Sequence, residues 1–283
     1  MTIEKIEYTK MHGIGNDYIY LNCLKNIPNK PEMLAREISD RHFGVGSDGL
    51  VLILPSKTED FRMQMFNSDG SESEMCGNAV RCIAKYVYEK GLTDKELINL
   101  ETKAGTRVLH LSVSNNKVTK IKVDLGKPIL DPKLIPVNLD GEKIINYPYE
   151  FFGQSFNINC ISMGNPHVVI FVPEINDEQV LTLGPKIETH PLFPKKINVE
   201  FVKVINRNEL EMRVWERGAG ETLACGTGAG AVTVASVLNN LTDKKITIHL
   251  LGGDLEMEWA ENGHIFKSGP AEFIADGVYY RNI

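Results

Sequence analysis

No apolar run in this 283-residue chain approaches the roughly 20 residues needed to cross a bilayer. The opening MTIEKIEYTK also lacks the apolar centre of a secretion signal. Both absences lead to the expectation of a cytoplasmic protein without a membrane partner. Basic charge is not in excess: 31 Lys and Arg face 37 Asp and Glu, a formal net charge of -6, with no basic run anywhere. That balance gives no electrostatic reason to expect nucleic acid, so the expected partner is a small molecule. Cysteine is scarce. Cys23, Cys76, Cys82, Cys160 and Cys225 are odd in number and irregular in spacing, with no Cys-x-x-Cys and no Cys/His cluster of zinc-site type. They are read as free thiols, and no metal is expected. HGIGN and GVGSDG are too short for a dinucleotide fingerprint, and no motif provides the lysine or phosphate cradle of pyridoxal phosphate, so no cofactor is expected either. What is present, 42% hydrophobic and 24% charged residues, excludes disordered and fibrous classes and suffices for one sizeable domain or two smaller ones.

The chain repeats itself weakly but in register. FRMQMF (Phe61 to Phe66) and LEMRVW (Leu210 to Trp215) both alternate like half-buried strands and lead through a Gly-containing turn into Cys-Gly. Aligning them pairs Phe66 with Trp215, Glu72 with Glu221 and Cys76 with Cys225, an offset of 225 − 76 = 149 residues. Gly15-Asn16 and Gly164-Asn165 show the same offset, so two separated blocks agree on one duplication. Helices are expected over Ala79 to Lys90 and Ala229 to Asn239, stopped near Gly91 and Asn240. The runs VLILP, RVLHLSV, VTKIKVDL, HVVIFV, NVEFVKVI and KITIHLL read as strands. The class is α+β in two similar domains: residues 1–124 with Cys76, and 125–270 with Cys225. The strand-like tail 271–283 is placed against the first.

Each cysteine should then sit at a helix amino terminus. Unpaired N–H groups and the helix dipole favour an anion there, which lowers a thiol pKa and offers a dock for a carboxylate. The following glycine allows close approach of a ligand to the backbone. The chemistry that suits two such turns is inversion at the α-carbon of an amino acid. Without pyridoxal phosphate the carboxylate must take up the carbanion's charge, and helix-end N–H groups are suitable donors, each typically worth about 3 kcal/mol. A base on one face and an acid on the other complete the reaction, one Cys entering as thiolate and its partner as thiol.

Read singly, these residues have plainer uses. A lone buried cysteine is ordinary core, and Cys23, Cys82 and Cys160 keep that reading. Recurrence in equivalent turns reverses it for Cys76 and Cys225. His167 alone is a satisfied strand-start histidine. Asn16, Asn67, Asn165 and Asn198 are turn residues, and Glu216-Arg217 is a solvated ion pair.

The blocks KMHGIGNDY, DRHFGVGSDG, FNSDGSESEMCGNAVRC, SMGNPH, ERGAGETLACGTGAGA and SGPA, running from Lys10 to Ala271, together closely resemble the diaminopimelate epimerase family. The resemblance implies two pseudo-symmetric α/β domains, each with strands wrapped round a central helix, the active site lying between them. It further implies interconversion of LL- and meso-diaminopimelate in lysine and peptidoglycan precursor synthesis, without cofactor or metal, by a homodimer. Carried over by motif, Cys76 and Cys225 form the acid/base pair. Gly77-Asn78 and Gly226-Thr227 supply donors to the reacting carboxylate, and Glu216 with the Arg217 backbone holds the reacting amino group. Asn16, Asn67, Asn165, Asn198 and the Arg217 side chain wall the rest of the substrate, while His167 and Glu216 adjust the thiols. Two positions depart from the pattern: Gly49 stands where some members have Gln, and Ala275 where some have a Tyr tied to dimerisation.

Proline racemase-like enzymes are the nearest rival, sharing fold and paired cysteines but taking a substrate with one carboxylate; Arg217 and the Asn set argue against them. A phenazine-type isomerase does not use paired thiols. A thiol hydrolase with His167 as base leaves the second cysteine unexplained. A non-catalytic binding protein would lose no turnover on mutation of either.

Overall fold

A computed structural model describes residues 3–282, which fall into two compact units, 3–123 with 269–282, and 124–268. In the first unit the elements are β1 (Ile3–Gly13), β2 (Asn16–Asn22), α1 (Pro31–Ser39), β3 (Gly49–Leu54), β4 (Phe61–Asn67), β5 (Glu72–Ser73), α2 (Gly77–Glu89), β6 (Leu97–Glu101), β7 (Arg107–Ser114) and β8 (Lys117–Asp124). The second unit repeats them with β9 (Tyr147–Phe151), β10 (Gln154–Ser162), β11 (Pro166–Phe171), a π-helical turn (Glu178–Leu183) running into α3 (Gly184–Glu188), β12 (Asn198–Asn206) and β13 (Glu209–Glu216). It continues through β14 (Gly220–Glu221), α4 (Gly226–Leu238), β15 (Lys245–Leu250), β16 (Gly253–Trp259) and β17 (Ile265–Gly269). The closing strand β18 (Glu272–Asn282) returns to pair antiparallel with β1, Ile3 opposite Asn282.

The pairing registers carry the duplication into three dimensions. β2 and β3 run parallel with Ile19 opposite Leu50, and β11 and β12 run parallel with Val168 opposite Val199. Leu50 faces Phe66 on β4, and Val199 faces Trp215 on β13. Phe66 then meets Glu72 as Trp215 meets Glu221. Every one of these pairs is displaced by 149 residues, and so are both ends of α2 and α4.

Each unit is built round its longer helix. Residues 78–87 of α2 and 228–236 of α4 are buried on all sides, as a helix enclosed by strands must be. α4 meets that demand with Gly, Ala, Val, Thr and Ser. α2 instead carries Arg81 and Lys85 inside: Arg81 donates to the carbonyls of Gly77 and Pro270 and to Asn78 Oδ1, its Nη2 finding no partner among the described residues, and Lys85 donates to the Val118 carbonyl. Both helices start two or three residues earlier than the expected Ala79 and Ala229, directly on the glycine after each cysteine. Their carboxyl ends stop where expected, Gly91 and Asn240 taking up left-handed backbone at φ 69° and 56°.

A second layer closes the outer face of each sheet. Leu34, Ala35 and Ile38 of α1 pack on Leu50, Leu52, Leu54 and Phe66. In the second unit Val180, Leu183 and Ile187 cover Val168, Ile170, Val199 and Phe201.

Candidate active site

Cys76 and Cys225 are the N-cap residues of α2 and α4, in extended backbone at φ −125° and −117°. Their carbonyls accept the first helical hydrogen bonds, from Val80 at 3.1 Å and Ala229 at 3.0 Å. A strand, a short β-arm and a glycine turn precede each, so the local chain path that presents the two thiols is the same.

Their side-chain surroundings differ. The half-buried Cys76 thiol donates to Asn16 Oδ1 at 3.3 Å, and Asn78 Nδ2 approaches the same oxygen at 3.5 Å. Asn16 is oriented in turn by Asp48, whose Oδ2 accepts from its Nδ2 at 2.7 Å. The buried Tyr18 phenol lies beside this group; burial first, then the Cys76 and Asp48 charges, drive its pKa far up. Cys225 is buried and accepts instead, from the Gly228 N–H at 3.3 Å, with the Thr227 hydroxyl 3.6 Å away.

One expectation is overturned here. A helix-terminal thiol was expected to have a lowered pKa, but that of Cys225 is pushed well up. Burial dominates, the Glu216 and Glu200 charges add to it, and the Thr227 hydroxyl and Gly228 N–H oppose it without prevailing. A Cβ on Gly226, the glycine after this cysteine, would collide with the ammonium of the buried Lys267.

The remaining residues singled out in the sequence fall into smaller groups. Fully buried His167 bridges Asn165 Oδ1, 3.1 Å from its Nε2, and Glu200 Oε1, 2.6 Å from its Nδ1. Asn198 spends both ends of its amide on backbone, donating to the Pro166 carbonyl at 2.7 Å and accepting from the Arg217 N–H at 2.9 Å. It therefore pins the turn after β13. Glu188 holds the same turn from its other side, accepting from Trp215 Nε1 at 2.9 Å and from the Gly218 N–H at 3.0 Å. Glu216 accepts from the Thr222 hydroxyl, and the Arg217 guanidinium donates to the Lys195 carbonyl at 3.2 Å. Asn67 donates to Ser71 Oγ at 3.0 Å, in a separate turn from the Asn16 group.

Gly49 has a physical reason to lack a side chain. A Cβ there would run into the Phe66 carbonyl and lie 2.9 Å from the Tyr18 ring. Ala275 is exposed on β18, opposite Lys10. Among the described residues no group of three or more His, Cys, Asp or Glu has metal-holding geometry, and no helix is long and apolar enough to cross a membrane.

Sequence reading overlooked Glu200, Tyr18, Asp48 and Lys267. Tyr18 was within reach, since it and His167 are 149 residues apart and the duplication makes them counterparts.

The family model for diaminopimelate epimerase matches residues 8–130 and 159–274. The chain belongs to the diaminopimelate epimerase family. It is an enzyme, an epimerase. A relative named diaminopimelate epimerase from Acetivibrio thermocellus is 57% identical over 273 residues, covering 96% of this chain and 98% of its own. Another of the same name, from Methanococcus maripaludis, is 51% identical and covers 96% and 99%. Solved structures extend the likeness to the fold. A phenazine biosynthesis protein of the PhzF family from Bacillus anthracis superposes with a TM-score of 0.69 at 16% identity, covering 98% of this chain and 99% of its own. A hydroxyproline epimerase from Agrobacterium vitis gives 0.69 at 12%, covering 99% and 92%. The α+β class with two pseudo-symmetric domains is that of these diaminopimelate epimerase-like structures.

Proposed function

We propose that this protein interconverts LL- and meso-diaminopimelate by two-base α-proton transfer between Cys76 and Cys225. The observation that carries the reading is the recurrence of a cysteine as helix N-cap in the same register of both halves, 149 residues apart. A packed thiol has no cause to recur there, whereas stereoinversion needs an acid on one face of the α-carbon and a base on the other. The high identity to relatives named diaminopimelate epimerase supports the substrate.

In this reading the halves 1–124, with the tail from 271, and 125–270 each supply one thiol. The N–H groups of Gly77-Asn78 and Gly226-Thr227 receive the reacting carboxylate, whose charge grows as the α-proton leaves. Each such donor contributes about 3 kcal/mol to the transition state. Glu216 and the Arg217 backbone hold the amino group, while Asn16, Asn67, Asn165, Asn198 and the Arg217 guanidinium face the distal part, whose carboxylate matches a guanidinium fork. His167 and Glu216 adjust the thiols. The enzyme works in the cytoplasm, in lysine and peptidoglycan precursor synthesis. It does so as a homodimer, for which the exposed Ile274, Val278 and Tyr280 of β18 offer an apolar contact.

Proton NMR of reduced protein with LL-diaminopimelate in deuterated water tests the reaction, with L-proline and L-lysine in parallel. Loss of the α-proton signal and appearance of the meso form from diaminopimelate alone is the expected result. Exchange with proline instead would move the protein to the proline racemase-like alternative, and no exchange at all would refute the thiol pair.

A further inference from the structure

Where the first half carries Val51, the second carries a carboxylic acid, Glu200, 149 residues on. Both side chains lie on a parallel-paired strand, in β3 and β12. Glu200 is fully buried, its Oε1 lies 2.6 Å from His167 Nδ1, and its Oε2 has no hydrogen-bond partner among the described residues. His167 Nε2 lies 3.1 Å from Asn165 Oδ1. The 2.6 Å Nδ1–Oε1 contact is a hydrogen bond with a proton between the two groups, because without it two lone pairs would oppose each other in a dry interior.

Glu200 also reaches the cysteine's end of α4. A Cβ on Gly228 would lie 2.8 Å from Glu200 Oε1 and 3.2 Å from Cys225 Sγ, so carboxyl and thiol flank the same glycine. The groups that face Cys225 from the surrounding elements are Glu216 on β13, Glu200 on β12, and the Thr227 hydroxyl and Gly228 N–H of α4. Lys267 on β17 caps Gly226. Glu200 itself is faced by His167 on β11 and by Glu216.

We propose that Glu200 is a positioning residue for Cys225: it takes the ionised role in this shared pocket and so keeps Cys225 protonated in the resting enzyme. Acids in one desolvated pocket do not ionise independently, and the stronger acid takes the charge first. Burial raises both groups, but a carboxyl is ordinarily the far stronger acid of the two, and the charge and hydrogen bond of His167 oppose the rise at Glu200. Val51 leaves the first half without such an acid, so the two halves are chemically unequal at this position. Cys225 thus starts a cycle as proton donor: its S–H bond breaks as the proton passes to the α-carbanion, leaving a thiolate. The inference rests on the reading that Cys225 is one of the acid/base pair.

The test is alkylation of Cys225 by iodoacetamide as a function of pH, resolved by peptide mass. Wild type is compared with Glu200→Gln, Glu200→Val and Glu200→Asp. The wild-type midpoint is expected above the ordinary cysteine value of about 8.5. Both neutral variants should lower it, each unit giving about tenfold faster alkylation at a fixed pH below the midpoint, and Glu200→Asp should restore the wild-type profile. A wild-type midpoint at or below the ordinary value overturns the proposal without any variant, and so do neutral variants whose profiles overlay that of wild type. Epimerisation of LL-diaminopimelate is followed separately in the same proteins. A shifted alkylation profile without wild-type turnover would sink the functional reading and leave the Glu200 relation standing, and turnover with unshifted profiles would do the reverse.

Discussion

The carboxylate of Asp48 accepts from Asn16 Nδ2 at 2.7 Å and thereby turns the Asn16 carbonyl oxygen toward the Cys76 thiol, 3.3 Å away. An amide can present either end to a neighbour, and Asp48, itself held by Arg41 at 3.0 Å, decides which. Asp48→Ala should release the amide and lower the epimerase kcat about tenfold, equivalent to about 1.4 kcal/mol for one lost orienting hydrogen bond. Steady-state kinetics beside a melting curve would separate this from unfolding, since Asp48 is partly exposed and its loss should move the midpoint little.

Replacing either N-cap cysteine by alanine should abolish most of the turnover while leaving the helices intact. Cys76 offers no side-chain cap to α2, and the one Cys225 makes, from the Gly228 N–H, is a weak sulfur acceptor. A loss of at least about 100-fold for Cys76→Ala and for Cys225→Ala is expected from the removal of a general acid or base. The double variant should be scarcely worse than either single one, because the pair acts as a unit. Additive losses would speak against a shared step.

Cys23, Cys82 and Cys160 should resist alkylation in the folded protein at neutral pH. Burial pushes Cys23 up to about 12 and Cys82 to about 11, and raises Cys160 further. These thiols stay protonated in the folded state where the unfolded chain would ionise them from about 9. Stability is therefore present in full below that pH and declines as pH rises through the window to about 12. Peptide mapping after brief iodoacetamide treatment, and urea melts between neutral and alkaline pH, check both statements.

Arg281 clamps the last strand to the first helix of its unit. Its buried guanidinium donates to both carboxylate oxygens of Glu37 on α1, at 2.7 and 3.2 Å, and to the Asn29 carbonyl at 2.6 Å. Arg281→Met keeps the apolar stem and removes the fork, and should cost about 2 kcal/mol. A lowered melting midpoint measures it, with turnover per folded molecule unchanged.

Much of the architecture was legible because repetition reinforces weak signals. Either strand of the FRMQMF and LEMRVW pair would be ambiguous alone; a common offset makes both persuasive, and the Leu50–Phe66 and Val199–Trp215 pairings follow the same register. The helix starts were misjudged by two or three residues because glycine scores poorly as a helix former, yet Gly77 and Gly226 sit in the first turn, where the preceding cysteine already directs the chain. Glu200 was illegible for a different reason. In NVEFVKVI it resembles the solvent-facing member of an alternating strand, but β12 runs parallel to β11 and is covered on both faces, so Val199, Glu200 and Phe201 are all buried. Lys267 and Arg81 escaped in the same way, since buried cations cannot be told from surface ones by residue type.

The return of β18 to β1 has a consequence for the order in which the molecule is made. Synthesis proceeds from the amino terminus, and β1 lacks its outer partner until residues 272–282 have been added. By then all of 124–268 has been synthesised. The second unit, contiguous in sequence, can close on contacts of shorter range. The first must keep one edge of β1 open while an entire neighbouring unit is translated, and an unpaired strand edge is the sort of surface that invites association with other chains. The unit begun first is thus the one completed last.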